Sequence, residues 1–273
     1  MSEGAGPTTG EPNATVGVEA RDLFTHPGRW SRRELRRLQG RVETHGGSIP
    51  LGERVRLDGT WRWFRLQGCA IEARAAFPPV VLMDKAPGVV TSRAREGSGA
   101  RVFDALDPAL QARVEPVGRL DRDTTGLLIF VGDGGLIQHL GHPKRAVPRT
   151  YVVTVVGEPD PERLALLREG ALELKDGHRP PVLALERLGP EQWTLTLTEG
   201  KYHEVKRIFA ALGGRVSALR RTGFAGFTLE DLQGLPVRRL SEREVADAYA
   251  GWGLPCPERE AEVREVVGAA AQG

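Results

Sequence analysis

The chain has 273 residues, 40% of them hydrophobic and 27% charged, a globular composition long enough for one large domain or two modest ones. Its two cysteines, Cys69 and Cys256, are far apart, and no apolar run approaches the length of a membrane span. These features argue against a disulfide framework, a thiolate metal site, a membrane protein and a secreted one, so we expect a protein of the reduced cytoplasm.

The formal net charge of +2 hides two basic segments. Residues 29–43 hold six arginines against two glutamates, and residues 201–221 hold six basic residues against one acid. Such segments indicate a face that binds a polyanion. The alternative is that they are ordinary solvated helix faces in an arginine-rich chain.

The N-terminal part of the chain is predicted to be a tail followed by a small module. Residues 1–17 are rich in Gly, Pro, Thr and Glu, which predicts a disordered tail. In residues 18–76, Ser31 can cap a helix with Glu34 as its capping-box partner, and Gly40 is expected to end that helix. Short strand-like pieces separated by glycines follow. The composition changes at residues 77–79, Phe-Pro-Pro, which we interpret as the linker to a second domain.

Residues 79–250 are predicted to form the second domain, and residues 254–273 a flexible C-terminal tail. Apolar or alternating runs predict strands at 80–83, 126–131, 151–156 and 193–198. Helices are predicted at 136–140, 160–170 and 203–212, the last with apolar residues at helical spacing. The two element types mix without a regular βαβ rhythm. The sequence therefore predicts an α+β fold with a mixed, mostly antiparallel sheet.

The segment with the most chemical information is 118–128, Gly-Arg-Leu-Asp-Arg-Asp-Thr-Thr-Gly-Leu-Leu. Asp121 lies in its polar turn, between Arg119 and Arg122 and shortly before a predicted buried strand. Neighbouring cations keep a carboxylate ionised and available as a nucleophile or a base. The competing interpretation is an aspartate that merely caps the turn through local hydrogen bonds. No metal-ligand cluster, P-loop or dinucleotide-binding loop is found in the sequence, so neither a metal nor a cofactor is predicted.

This segment, followed by Asp133 and Gly134, resembles the catalytic motif of RNA pseudouridine synthases of the RsuA type, the small-subunit ribosomal RNA branch. Three further motifs match that family in the same order: residues 84–91 (DKAPGVVT), 149–153 (RTYVV) and 199–209 (EGKYHEVKRIF). Residues 29–60 are similar to the S4 RNA-binding module, which makes 18–76 a small S4-like α/β module. The chain departs from the family pattern where Arg149 replaces Lys, Glu204 replaces Gln and Ala86 replaces Pro.

The resemblance implies that a specific uridine in ribosomal RNA is isomerised to pseudouridine without a cofactor. It makes Asp121 the essential catalytic residue, as nucleophile or as base, with Lys206 as its basic partner and Tyr151 packed on the uracil. Val205 is expected mainly as a core residue that can also line the pocket. Because a base inside folded RNA must be extruded to be reached, Arg119 is the candidate to fill its place or to hold the phosphates. RNA backbone contacts are expected from Arg32, Arg33, Arg36, Arg37, Lys201, Arg207, Arg220 and Arg221.

The sequence leaves other functions open. A large-subunit ribosomal RNA synthase shares every motif, although the helix at 203–213 favours the small subunit. A non-catalytic RNA-binding or ribosome-assembly factor belongs to another class, and the intact Asp121, Tyr151 and Lys206 argue against it. A hydrolase that pairs Asp121 with Asp123 is a third alternative. The expected partner is ribosomal RNA or a ribosomal assembly particle, without a membrane or a nucleotide cofactor, and the chain is expected to be a monomer.

Overall fold

The computed structural model describes residues 15–25, 29–95 and 99–266. Residues 1–14 of the predicted N-terminal tail and 267–273 of the predicted C-terminal tail lie outside these residues. The chain divides into two compact units. The first comprises the described residues up to Pro78 and from Gly253 onward, and the second runs from Pro79 to Trp252. Among the described residues, no helix is both long and apolar enough to cross a membrane.

The α-helices of the described residues are α1 (Arg32–Arg37), α2 (Pro108–Gln111), α3 (Gly134–Gly141), α4 (Pro161–Arg168), α5 (Glu204–Ala211) and α6 (Glu242–Gly251). The first eight strands are β1 (Val16–Glu19), β2 (Arg41–Thr44), β3 (Gly47–Pro50), β4 (Arg54–Leu57), β5 (Arg62–Leu66), β6 (Cys69–Ala76), β7 (Val80–Lys85) and β8 (Glu115–Pro116). The others are β9 (Thr125–Val131), β10 (Arg149–Val156), β11 (Val182–Arg187), β12 (Gln192–Leu197), β13 (Arg215–Phe224), β14 (Phe227–Thr228), β15 (Val237–Arg239) and β16 (Glu260–Glu265).

The first unit consists mainly of strands. β1 pairs with β4, and a five-stranded sheet has the order β16-β6-β5-β2-β3. Helix α1 begins at the predicted cap, where the Ser31 hydroxyl accepts a hydrogen bond from the Glu34 backbone and the Glu34 carboxylate accepts one from Ser31. The helix ends at Arg37, before the expected Gly40, because Leu38 already has an extended backbone. Leu35 is its buried residue, so the helix leaves its arginines exposed.

Two predicted tail boundaries of this unit are wrong. β1 begins at Val16, inside the segment predicted as a disordered tail, because it pairs along its length with β4. Residues 260–265, predicted to belong to a flexible tail, form β16 along β6. Val263 packs into the apolar core, and Glu262 pairs with Arg74 at 2.8 Å. These contacts order a segment that was expected in the flexible tail.

The second unit contains a nine-stranded mixed sheet. Its main order is β11-β12-β10-β13-β9-β7-β15, with β14 paired to β13 and β8 to β9. All of these pairs are antiparallel except β9 with β13, which run parallel. This is the predicted α+β architecture with a mixed, mostly antiparallel sheet.

Helix α5 carries the predicted apolar stripe. Val205, Ile208, Phe209 and Leu212 are buried in the cluster that also contains Trp193. The basic segment 201–221 is not one helix, however, because α5 ends at Ala211 and the chain enters β13 after two glycines. Side chains alternate between the two faces of a strand. The basic residues near the end of this segment therefore point in opposite directions instead of sharing one helix face.

Strands β9 and β13 approach each other closely at Gly126. Its φ is +102°, and a Cβ atom there would lie 2.1 Å from the carbonyl oxygen of Arg221. Only glycine satisfies both the backbone angle and this approach. The contact fixes the end of the 118–125 loop against the strand that carries Arg221.

Candidate active site

Asp121 lies in the turn before β9 and lines a cavity of about 190 Å³ in the second unit. The Thr124 backbone donates a hydrogen bond to the Asp121 carbonyl at 3.1 Å, which closes the turn. Lys206 Nζ lies 3.1 Å from Asp121 Oδ2, and His203 Nε2 lies 3.4 Å from the same oxygen. The Asp121 side chain is 31% exposed. It is therefore an accessible carboxylate beside a cation, as a nucleophile or a base requires.

Lys206, the predicted partner of Asp121, is shared with a second acid. Its Nζ lies 2.8 and 2.9 Å from the two carboxylate oxygens of Asp123, which is itself mostly exposed. Burial disfavours the charged form of Lys206, but hydrogen bonds to Asp123 and Asp121 outweigh it and raise the pKa. The hydrogen bond from Lys206 in turn lowers the pKa of Asp123. We call Asp121, Asp123, His203 and Lys206 the mouth cluster.

His203 and its neighbour Tyr202 lie directly before α5. His203 has a left-handed backbone with a φ of 50°, which is uncommon for a residue other than glycine. Its ring stacks on that of Tyr202 with centroids 3.8 Å apart, and Tyr202 is 78% exposed. An exposed aromatic ring beside a cluster of cations is suited to stacking with a nucleobase. The sequence did not single out either residue, because nothing in it indicates the left-handed turn.

Lys85, at the end of β7, holds the 118–125 loop against the sheet. It is 1% exposed, and its Nζ donates hydrogen bonds to the carbonyl oxygens of Thr124 at 2.7 Å, Ala86 at 3.0 Å and Arg122 at 3.3 Å. Burial lowers the pKa of Lys85 to about 8. This residue was not predicted as functional, although a lysine at the end of an apolar strand was the available signal.

The predicted substrate-binding residues meet around the cavity. Tyr151 from β10 and Val205 from α5 are nearly buried and line it together with Arg119 and Asp121. Lys206 lines a second cavity, which shares Arg119 and Asp121 with the first. Arg119 is exposed. The structure thus places an apolar and aromatic wall behind Asp121, with charged groups at the opening.

Two buried arginines, Arg149 and Arg221, also line the cavity, and we call them the wall arginines. Their guanidinium groups lie 4.9 and 4.7 Å from the ring centroid of Phe224. Burial lowers the pKa of each. Arg149 was noted in the sequence only as a departure from the family pattern, and its position in the wall shows that the replacement keeps a cation there.

The predicted RNA contacts divide by exposure. The four arginines of α1 and Lys201 are exposed. Arg207 is half-buried and pairs with Asp176, and Arg220 pairs with Asp84 at 2.7 Å. Arg221, from which an RNA backbone contact was also expected, lies in β13 and not at the surface. Arg221 is 2% exposed, because β13 turns it to the cavity side of the sheet, opposite Arg220.

Glu204, which replaces the family's Gln, is the first residue of α5 and lies in a small cluster with Glu199 and His178. Its carboxylate lies 2.9 Å from His178 Nε2 and accepts a hydrogen bond from the Lys201 backbone at 3.0 Å. His178, Glu199 and Glu204 offer ligand atoms within 4.8 Å of one another. Lys201 Nζ already lies 2.8 Å from His178 Nδ1 and 3.4 Å from Glu199. A cation of the chain itself therefore balances these acids.

Comparison with known proteins gives a consistent result. The family model of RNA pseudouridylate synthase matches residues 79–211. Ribosomal large subunit pseudouridine synthase B of Bacillus subtilis is 33% identical over 231 residues, which cover 82% of this chain and 92% of that protein. Its counterpart in Escherichia coli K12 is 35% identical over 234 residues, 82% of this chain and 78% of that protein. A crystal structure described as a pseudouridylate synthase has a TM-score of 0.55 and 26% identity, and covers 85% of this chain and 99% of its own.

The match to the family model includes the 118–125 loop, β10 and α5, which place Asp121 and Tyr151 at the first cavity and Lys206 at the second, which shares Asp121. With about a third of its residues identical to these relatives over most of both chains, this protein belongs to the RNA pseudouridylate synthase family.

Proposed function

We propose that this enzyme converts a specific uridine of large-subunit ribosomal RNA into pseudouridine, with Asp121 as its essential catalytic residue. The observation that carries the proposal is the Asp121 carboxylate at the edge of the cavity, 3.1 Å from Lys206 and facing the Tyr151 wall, in a chain similar to large-subunit synthases. The sequence had favoured the small subunit. The named relatives support the large-subunit alternative instead.

The reaction needs no net oxidation or reduction. The bond between C1′ of the ribose and N1 of uracil breaks, the base turns over, and C5 bonds to C1′ while its hydrogen leaves as a proton. Asp121 serves either as a nucleophile on the sugar or base or as a base that removes a sugar proton. Both routes use the carboxylate oxygens of Asp121, and Lys206 Nζ lies 3.1 Å from one of them, where it stabilises charge that changes during the reaction. Tyr151 packs against the uracil, and Val205 closes the cavity from α5.

The target nucleotide has to leave its stack before it reaches Asp121. Arg119 is exposed, and it lines both the cavity and the second cavity that contains the mouth cluster. We assign it to the place of the extruded base or to the adjacent phosphates. The Tyr202 ring, 78% exposed, offers a flanking base a stacking surface.

The rest of the RNA is held, in this proposal, by exposed arginines and lysines. Helix α1 presents four arginines to solvent, and Lys201 is exposed beside the active site. Arg207 and Arg220 contribute once RNA phosphates compete with Asp176 and Asp84 for them. We assign the first unit the role of an S4-like RNA-binding module. The enzyme acts as a monomer in the cytoplasm on ribosomal RNA or an assembly particle.

Tritium release tests the substrate assignment. Large-subunit and small-subunit ribosomal RNA, each labelled with tritium at uracil C5, are incubated with the wild-type enzyme both as free RNA and as assembly particles. We expect release from large-subunit RNA, because the C5 hydrogen is lost when the new carbon–carbon bond forms. Release from small-subunit RNA alone would assign the enzyme to the other subunit. No release from any of these substrates would support the non-catalytic RNA-binding factor.

A further inference from the structure

Arg221 is placed to touch a base in the cavity. It is the register partner of Tyr151 in the antiparallel pair β10–β13, so the two side chains stand next to each other on the same face of the sheet. Both line the cavity that contains Asp121, and Arg221 is 2% exposed. The guanidinium group therefore lies in the wall, away from bulk water.

The hydrogen bonds of this guanidinium group are incomplete. Arg221 Nε donates to the Leu127 carbonyl at 2.7 Å, and the Phe224 ring covers one face. Burial lowers the pKa of Arg221, and a hydrogen bond and electrostatic interaction with Tyr151 offset only part of this effect. In the part of the chain that the structure describes, Nη2 of Arg221 has no hydrogen-bond partner and no carboxylate forms an ion pair with the side chain. A buried donor without a partner is costly, more so on a charged group.

Arg149, the other wall arginine, provides the contrast. It is similarly buried and contacts the same Phe224 ring. Its Nη1 and Nη2 atoms, however, donate to the backbone carbonyls of Val147, Thr198 and Leu140, at 2.9, 3.2 and 3.4 Å. Arg149 is thus fully explained as a structural anchor of the wall. Arg221 retains a donor that the folded chain does not use.

We propose that Nη2 of Arg221 donates a hydrogen bond to a carbonyl oxygen of the extruded uracil and stabilises the base while it is detached from the sugar. The proposal rests on the proposed pseudouridine synthesis. When the C1′–N1 bond breaks, its electron pair stays on the base, and the negative charge spreads onto the uracil carbonyl oxygens. When C5 bonds to C1′, the electron pair of the detached base forms the new bond. The proton on C5 then leaves.

The timing of this charge determines the expected kinetics. The carbonyl oxygen is neutral in the bound substrate and carries excess negative charge only between detachment and reattachment. A preorganised cation in a site shielded from water stabilises that state more than the ground state. Loss of the contact is therefore expected to lower the rate of the chemical step more than the affinity for RNA.

Sulfur substitution in the RNA tests the contact at the level of one atom. Target RNAs carry uridine, 2-thiouridine or 4-thiouridine at the modified position, and single-turnover rates are measured for each. Sulfur accepts hydrogen bonds more weakly than oxygen. We expect one of the two replacements to slow the wild-type enzyme by about tenfold or more.

The variants Arg221→Lys and Arg221→Gln are expected to react slowly with uridine. They should also lose the preference for oxygen over sulfur, because they lack the Nη2 donor of Arg221. Arg149→Lys is the matched control: it weakens the wall but keeps the full sulfur penalty of the wild type. Thermal unfolding and RNA-binding titrations of each variant separate loss of fold from loss of the contact.

Two results would overturn the assignment of Arg221. The first is equal wild-type rates on all three RNAs, which needs no variant to interpret. The second is an Arg221 variant that keeps the wild-type preference for oxygen. Failure of the proposed function looks different, because the wild-type enzyme would then not convert even the RNA that carries uridine.

Discussion

The mouth cluster and the wall arginines place positive charge around the cavities that share Asp121, and they do so in opposite ways. In the mouth cluster, Lys206 is partly exposed and contacts two carboxylates within 3.1 Å. In the wall, Arg149 and Arg221 are buried and bond to backbone carbonyls and an aromatic ring. The partly exposed charge of Lys206 is balanced by carboxylates. The buried charges of the wall arginines are balanced by backbone carbonyl dipoles and by the Phe224 ring. The mouth cluster therefore places a cation against Asp121, and Arg221 in the wall is suited to holding a group that becomes negative.

The largest expected effect on stability comes from Gly126, which follows the Asp121 loop and contacts the backbone of Arg221. Gly126→Ala would drive a Cβ atom into the backbone of Arg221 at a φ of +102°, so we expect unfolding to become easier by about 3 kcal/mol or more. Chemical denaturation measures this change. Gly134→Ala is the control, because a Cβ there meets nothing within 4 Å. A loss below about 1 kcal/mol at Gly126 would mean that the two regions are not rigidly coupled.

Lys206 tests the mouth cluster. Lys206→Gln leaves Asp121 and Asp123 without their shared cation, so we expect the rate of the chemical step to fall by about ten- to hundredfold. Lys206→Arg retains the charge and should recover part of that rate. The change in unfolding free energy should stay within about 1 kcal/mol, because the ion pairs are partly exposed. If Lys206→Gln reacts as fast as the wild type, the lysine does not support Asp121.

Lys85 extends the comparison, because it is a buried cation that holds the loop carrying Asp121 and Asp123 of the mouth cluster. Lys85→Met leaves the carbonyls of Ala86, Arg122 and Thr124 without their donor, which should destabilise the fold by about 1–2 kcal/mol near neutral pH. Denaturant titrations of the wild type and the variant measure this difference.

The same pair of proteins has an expected pH dependence. Burial lowers the pKa of Lys85 to about 8 from 10.5, so the unfolded chain holds this proton more tightly than the folded one. The stability of the wild type relative to Lys85→Met should therefore rise as pH increases from about 8 to 10.5. A difference that stays constant or shrinks across this range would contradict the assigned cost of burying the charge.

The exposed arginines of helix α1 are a reference for cations that are neither buried nor part of the active site. The double variant Arg33→Ala, Arg37→Ala should weaken RNA binding and reduce the slope of log affinity against log salt by about two. Arg243→Ala, at a 92% exposed position of α6, is the control and should leave the slope unchanged. An unchanged slope in the double variant would remove α1 from the RNA interface.

Sequence patterns predicted the elements that carry local signals. The apolar spacing in 203–212 predicted α5 and its buried face, and the 118–128 segment located Asp121, whose neighbours Tyr151 and Lys206 followed from family resemblance. The patterns failed where pairing between strands that are distant in sequence determines the structure. Arg221 was expected as an RNA backbone contact, but β13 turns it towards the cavity. Residues 260–265 were expected in a flexible tail, because their partner β6 is remote in sequence. Lys85 and His203 depend on a neighbouring loop and an unusual backbone angle, which local spacing does not encode.

The central claim is that Asp121, supported by the mouth cluster, performs pseudouridine synthesis. The most direct test is tritium release from large-subunit ribosomal RNA labelled at uracil C5, with the wild type, Asp121→Asn and Asp123→Asn measured side by side. We expect release with the wild type, a loss of about a thousandfold or more with Asp121→Asn, and a far smaller loss with Asp123→Asn. Release that survives in Asp121→Asn at the wild-type rate would contradict the account.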